Sequence, residues 1–207
     1  MHGETTADTS HEGPAAAPRP VGLTRFQLGK LLGEGGMGRV FAAYDPGLKR
    51  EVAVKLLKTP GAAARRRFAE EARLQARVDH PHICKVYEVG EEGGTAYIAM
   101  QRLHGAPLTE VAHDLDRDQK LLLVARVAQA IHEAHRAGLI HRDLKPGNIL
   151  VEGVAEGRPR PCVLDFGIAR VVEDAHLTQT GAILGTPHYM APEQALGRDD
   201  QIGRAHV

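Results

Sequence analysis

Apolar positions along this chain change their period several times, and each change marks an element. Residues 1 to about 24 carry Ala, Pro, Gly and Thr with almost no large apolar side chain. Such a stretch buries too little surface to offset the entropy of ordering, so it is predicted to be a disordered tail. From Arg25 the pattern turns to strands: Phe26 to Leu32, then the alternating Arg39 to Tyr44, the turn Asp45-Pro46-Gly47, and Glu51 to Leu57. Arg65 to Val78 reads as a helix, with Phe68, Ala72, Leu74 and Val78 near a 3.6-residue repeat. Ile83 to Val89 and Thr95 to Met100 read as two more strands about the turn Gly90 to Gly94. The longest helical pattern runs from about Asp118 to Ala137, with Leu121, Ala125, Ala128, Ile131, His132 and His135 on one stripe. Asp116 or Asp118 can cap its start and Gly138 stands where a C-terminal glycine belongs. Asn148 to Val151 and Cys162 to Leu164 are two last strands, around a surface loop from Glu152 to Pro161. Five strands with one helix, followed by a mainly helical part, predict an α+β protein.

Composition narrows the class of protein. The 207 residues are 43% hydrophobic and 25% charged, with a formal net charge of zero, so nothing points to nucleic acid or an anionic membrane as partner. No apolar run is long enough to span a bilayer, and the polar start is not a secretory signal. Cys84 and Cys162 make no disulfide framework and fit a reducing compartment as two buried thiols. The twelve histidines are scattered, and His132-Glu133-Ala134-His135 lacks the zinc-protease spacing. Both of its histidines are expected to pack on their helix.

Candidate chemistry gathers at a few short stretches. Gly33, Gly35 and Gly38 with Val40 form G-x-G-x-x-G-x-V, a turn whose backbone can approach phosphate oxygens and adopt positive φ. A dinucleotide-binding fold would start a helix at the last glycine, whereas here a strand follows. Lys55, set among apolar residues in Val52-Ala53-Val54-Lys55, is costly unless its ammonium is paired or snorkels to water. Either Glu70 or Glu71 on the following helix could meet it. The run His141-Arg142-Asp143-Leu144-Lys145-Pro146-Gly147-Asn148 puts an acid, an ammonium and an amide in one loop. Such a loop can hold a hydroxyl, a transferring phosphoryl group and a metal ion at one point. Asp165, at the end of an apolar strand, is either a strand-end cap or a metal ligand.

These stretches, in this order, resemble the protein kinases, and their style resembles the bacterial Hanks-type serine/threonine kinases. The resemblance rests on GEGGMGRV, VAVK, HRDLKPGN, DFG, GTPHYM and APE, and spans about Phe26 to Leu196. It implies a two-lobed kinase fold: residues 25–100 as the small antiparallel lobe, 101–105 as a hinge and 106–200 as part of the mainly helical lobe. The cofactors it implies are ATP with Mg²⁺ or Mn²⁺. Asp143 would accept the proton of a protein Ser or Thr hydroxyl, and Lys145 would meet the γ-phosphate. Asn148 and Asp165 would hold the metal. Lys55 would grip the α- and β-phosphates, with Glu71 as its partner, chosen by counting back from His80-Pro81. One departure is Gln75, four residues after Glu71, where the family is usually apolar. Gly33, Glu34, Gly35, Gly36, Met37, Gly38 and Val40 would cover the nucleotide, while Ala53, Met100, Gln101, Leu103 and Leu150 would form the adenine pocket. Thr178 and Thr180 become candidate activation-loop phosphosites for Arg142 to bind, and Thr186 a contact to the catalytic loop.

Two alternatives from other classes lack support in these residues. A nucleotide-binding scaffold without transfer would have lost a Lys, Asp or Asn of the set, and a small-molecule phosphotransferase would lack the APE segment. The implied partners are proteins presenting Ser or Thr, together with a second copy for autophosphorylation in trans. Cytoplasmic localisation is expected, with membrane anchoring open to a segment beyond residue 200. The family continues past Gly197 into further helices, so the larger lobe is expected to be incomplete and the 207-residue chain inactive by itself. Residues 201–207 back-translate to CAGATCGGAAGAGCACACGTC, which resembles a sequencing-library adapter, and are expected to be adapter-derived.

Overall fold

The computed structural model describes residues 23–35, 38–58 and 61–166, together with Tyr189 and Pro192. The expectations for residues 1–22, Gly36, Met37, Thr178, Thr180, Thr186 and the tail 201–207 lie outside those residues. Five strands form one antiparallel sheet in the order β1-β2-β3-β5-β4: β1 (Gln27–Glu34), β2 (Gly38–Asp45), β3 (Arg50–Leu57), β4 (Val86–Glu92) and β5 (Thr95–Gln101). The central strand β3 is buried on both sides, and its period of two divides the core. Val52, Val54 and Leu56 pack with Phe26, Phe41 and Tyr97, whereas Ala53 and Leu57 join Phe68, Ala72 and Met100. Lys55 has the parity of Ala53 and Leu57, so its Cβ leaves the sheet on the face that receives helix α1 (Ala62–Gln75).

Helix α1 starts and stops three residues earlier than its apolar pattern predicts. Its inner side carries Phe68, Ala72 and Gln75, all buried, while Leu74 is 37% exposed, contrary to the expected stripe. The spacing of four and three from Phe68 reaches Gln75, not Leu74, so the helix buries a glutamine where an apolar neighbour was available. The strand expected from Ile83 begins only at Val86. Ile83 instead makes an isolated parallel bridge with Val163, which joins the first sheet to the second part of the molecule.

That second part holds a three-stranded sheet in the order β6-β7-β8: β6 (Ala106–Pro107), β7 (Ile149–Glu152) and β8 (Arg160–Val163). The two-residue β6 and the one-turn helix α2 (Leu108–Val111) had no periodic signal to announce them. Helix α3 (Arg117–Arg136) begins in a capping box, with Gln119 N donating to Asp116 Oδ1 at 2.7 Å and Asp116 N to Gln119 Oε1 at 3.0 Å. Gly138, at φ 77°, closes its end. Its buried side is Leu123, Val127, Ala130 and Ala134, packed with Ile149, Val151, Val163 and Phe166. The predicted stripe is therefore wrong: Leu121 is 60% exposed, and His132 and His135 are exposed rather than packed. Both stripes are apolar at helical spacing, and the one with alanines at its C-terminal half lets the helix come close to β8. Among the described residues no helix is long and apolar enough to cross a membrane.

Candidate active site

The glycine turn between β1 and β2 is positioned by the sheet itself. Gly33 pairs with Val40 and Glu34 with Arg39, and Gly35 N donates to Gly38 O at 3.0 Å. Lys58, just past β3, donates to Gly35 O at 3.1 Å and pairs with Glu34 at 2.9 Å. That ammonium holds the Glu34 carboxyl below its ordinary value. The expected positive φ is not what these glycines supply, since neither Gly33, Gly35 nor Gly38 is left-handed. They supply room. A Cβ on Gly38 would stand 3.1 Å from the Leu56 carbonyl carbon and nearer still to its oxygen, while one on Gly33 or Gly35 would meet nothing within 4 Å.

After Gly138, buried Leu139 leads the chain into the loop that carries Asp143. His141 is buried and holds this loop to the strand end beyond β8: its Nε2 lies 2.8 Å from Leu164 O, and its Nδ1 3.3 Å from Asp143 N. Burial pushes its pKa down, so the neutral ring donates through Nε2 and accepts through Nδ1. The Phe166 ring lies 4.7 Å from it, centroid to centroid. Arg142 and Asp165 adopt left-handed backbone, at φ 62° and 53°. Non-glycine residues rarely take that conformation, and it concentrates at functional sites.

The Asp143 carboxylate is held from two sides. Lys145 Nζ lies 2.9 Å from its Oδ2, and Asn148 Nδ2 donates to the same oxygen at 3.0 Å and to the Asp143 carbonyl at 2.8 Å. The 3-10 turn Pro146–Asn148 sets this geometry, and Leu164 N donates to Asn148 O at 2.9 Å. With Nδ2 committed to Asp143, the Asn148 amide has its oxygen left to offer a cation. Lys55 Nζ, its side chain only 5% exposed, lies 2.7 Å from Asp165 Oδ1. The pairing expected with Glu71 is not described, because the Glu71 side chain lies outside the described residues. Glu70 is exposed.

These groups line one end of a cleft. A space of about 370 Å³ is bounded by Gly33, Glu34, Gly35, Gly38 and Val40 above, and by Lys55, Asp143, Lys145, Asn148 and Asp165 below. It continues into an apolar space of about 420 Å³ between Val40 and Ala53 on one side and Leu150 on the other, with Met100, Gln101 and Leu103 at its back. Sequence reasoning did not assign Leu32, Cys84, Gly105 and Leu164, which line it too. Cys84 had left a trace as a buried thiol, and Gly105 as the end of the expected hinge. Contact with the Cys162 thiol, then burial, pushes the Cys84 pKa well up, so Cys84 behaves as a packing group; Cys162 is buried beside it. Gly105 is required by close approach, because a Cβ there would come within 2.5 Å of Val151 O.

The cleft fits a purine nucleoside triphosphate with a hard cation. It has an apolar slot, a glycine turn with open space at Gly33 and Gly35, one buried ammonium, and oxygen donors on Asn148 and Asp165.

The protein kinase domain family model matches residues 26–205, and the chain belongs to that family. It is 43% identical over 197 residues to the serine/threonine-protein kinase PknA of Mycobacterium tuberculosis, covering 88% of this chain and 44% of that protein. It is 37% identical over 179 residues to PrkC of Bacillus subtilis, covering 84% of this chain and 27% of that protein. Among solved structures it is similar to the Mycobacterium tuberculosis PknI kinase domain, with a TM-score of 0.68 at 32% identity, covering 88% of this chain and 69% of that one. The fold is that of the two-lobed kinases, with the antiparallel sheet and α1 forming the small lobe. The chain spans less than half the length of these curated relatives.

Proposed function

We propose that the protein transfers the γ-phosphoryl group of ATP to Ser and Thr hydroxyls of other proteins. The observation that carries this reading is the clamped Asp143, held by Lys145 and Asn148 within the cleft that also buries Lys55 against Asp165. Asp143 orients the incoming hydroxyl and accepts its proton. Lys145, already beside that carboxylate, is placed to meet the γ-phosphate as charge builds there. Asn148 Oδ1 and the Asp165 carboxylate would hold Mg²⁺ or Mn²⁺, which would supply neutralisation of the developing negative charge. Lys55 leaves Asp165 for the α- and β-phosphates and for Glu71, and the glycine turn covers them from above. The apolar slot takes the adenine, whose edge meets the Gln101 carbonyl and the Leu103 amide.

Preference for Ser and Thr is supported by Lys145, by Thr186, and by the relatives that carry the serine/threonine-kinase name. Regulation is proposed to run through phosphate on Thr178 or Thr180, bound by Arg142, and added in trans by a second copy. The site of action is the cytoplasm, where ATP is abundant and both thiols stay reduced. The test uses the full-length protein with Lys55→Met and Asp165→Asn. Lys55→Met should melt within a few degrees of wild type, Asp165→Asn should melt lower because it leaves the buried Lys55 ammonium without that charged partner, and in both transfer should fall by orders of magnitude. Near-normal turnover in either would overturn the assignment.

A further inference from the structure

We propose that Gln75 is a positioning residue that ties helix α1 to the segment carrying Asp165, through the backbone of Cys84. Gln75 is the last residue of α1 and is 3% exposed. Its Nε2 donates to Cys84 O at 2.9 Å. Cys84 is in turn held by the second part of the molecule, its N donating to Val163 O at 2.9 Å, and beside it Val163 N donates to His82 O at 2.8 Å. Two residues after Val163 comes Asp165, and the residue between them, Leu164, accepts from His141 and donates to Asn148 O. Hydrogen bonds joined through the backbone of Cys84 therefore lead from α1, through the wall of the nucleotide cleft, to the metal-holding and catalytic loops. Glu71 lies one turn before Gln75 in the same helix.

An apolar residue at position 75 would fill the space but leave the Cys84 carbonyl without this donor. The helix would then pack against the strand without being registered to it. A buried glutamine is uncommon unless its amide is used, and here the amide is used on a residue whose own N–H is bonded to the second part of the molecule. The inference rests on the phosphotransfer reading for its consequence, though not for the linkage itself.

The experiment compares full-length wild type with Gln75→Leu and Gln75→Met, and with Leu74→Gln as the exposed control on the same helix. Both position-75 variants keep apolar bulk, and one folded variant suffices. We expect kcat to fall about tenfold, the scale of one lost hydrogen bond, with the KM for protein substrate within about twofold and melting within a few degrees. Deuterium uptake across residues 162–166 should rise in the same variants and stay unchanged in Leu74→Gln. Unchanged uptake there, or a kcat loss no larger than that of the control, would overturn the proposal. An inactive wild-type protein would remove the phosphotransfer reading alone, and the uptake measurement would then decide the linkage by itself.

Discussion

Replacing Gly38 by alanine should damage catalysis far more than stability, and the structure sets the scale. An added Cβ would stand 3.1 Å from the Leu56 carbonyl carbon and 3.4 Å from Leu57 Cα, with the Leu56 oxygen closer than either. Those atoms are backbone of β3, paired in register with the start of β2, so no side chain can swing aside. The first residue of β2 must retreat by roughly 1 Å, since a well-packed strand has no other way to relieve the clash. One ladder hydrogen bond is weakened, at about 1 kcal/mol. The larger effect is on the turn above Lys55 and Asp143, because a displacement of about 1 Å can cost about a hundredfold in rate. Steady-state kinetics on the full-length protein should show kcat/KM for ATP down by about two orders of magnitude, with melting lowered by only a few degrees. Gly35→Ala, whose Cβ meets nothing within 4 Å, should leave melting without nucleotide unchanged and raise only the KM for ATP. A Gly38→Ala enzyme with wild-type kcat/KM would refute the reasoning, since the strand would then have absorbed the methyl without moving the turn.

Three further outcomes follow from particular contacts. Phe68→Ala removes a fully buried ring between α1 and the sheet and should cost about 3–5 kcal/mol, a large part of a domain's net stability; urea unfolding reads this directly. Arg25 grips Asp45 through both carboxylate oxygens, at 2.6 and 3.1 Å, and pushes its pKa down to about 2. A carboxyl depressed on folding stabilises fully above its unfolded value and loses that contribution as pH falls toward its folded one. The stability gap between wild type and Arg25→Ala should therefore be present at neutral pH and close between about pH 4 and 2 in acid melts. For the proposed loop regulation, mass spectrometry of active protein should find phosphate on Thr178 or Thr180, and the double alanine variant should lose most activity.

The sheet was legible because its strands alternate and its turns carry Asp-Pro-Gly and Gly-Gly, and the glycine turn fell between two of them. Asp143, Lys145 and Asn148 could be grouped because one short loop carries them, whereas their roles and that of Asp165 were implied only by the resemblance to the kinases. What was not legible depended on contacts distant in sequence. The inner face of α3 could not be chosen between two apolar stripes, because the choice is made by β8, more than twenty residues later. Gly38 was read as a φ requirement when its reason is the Leu56 carbonyl on a neighbouring strand. Gln75 was visible as an exception to the family, but its partner, the Cys84 carbonyl, is a backbone group that no side-chain pattern reveals. The ion pair of Lys55 with Asp165 spans 110 residues and was hidden for the same reason.

Transfer of labelled γ-phosphate from ATP by the full-length protein, followed by phosphoamino-acid analysis, bears most directly on the central claim. Wild-type protein with Mg²⁺ or Mn²⁺ should yield phosphoserine or phosphothreonine, and Asp143→Asn should yield neither above background. Label found only on tyrosine, or undiminished in Asp143→Asn, would contradict the account.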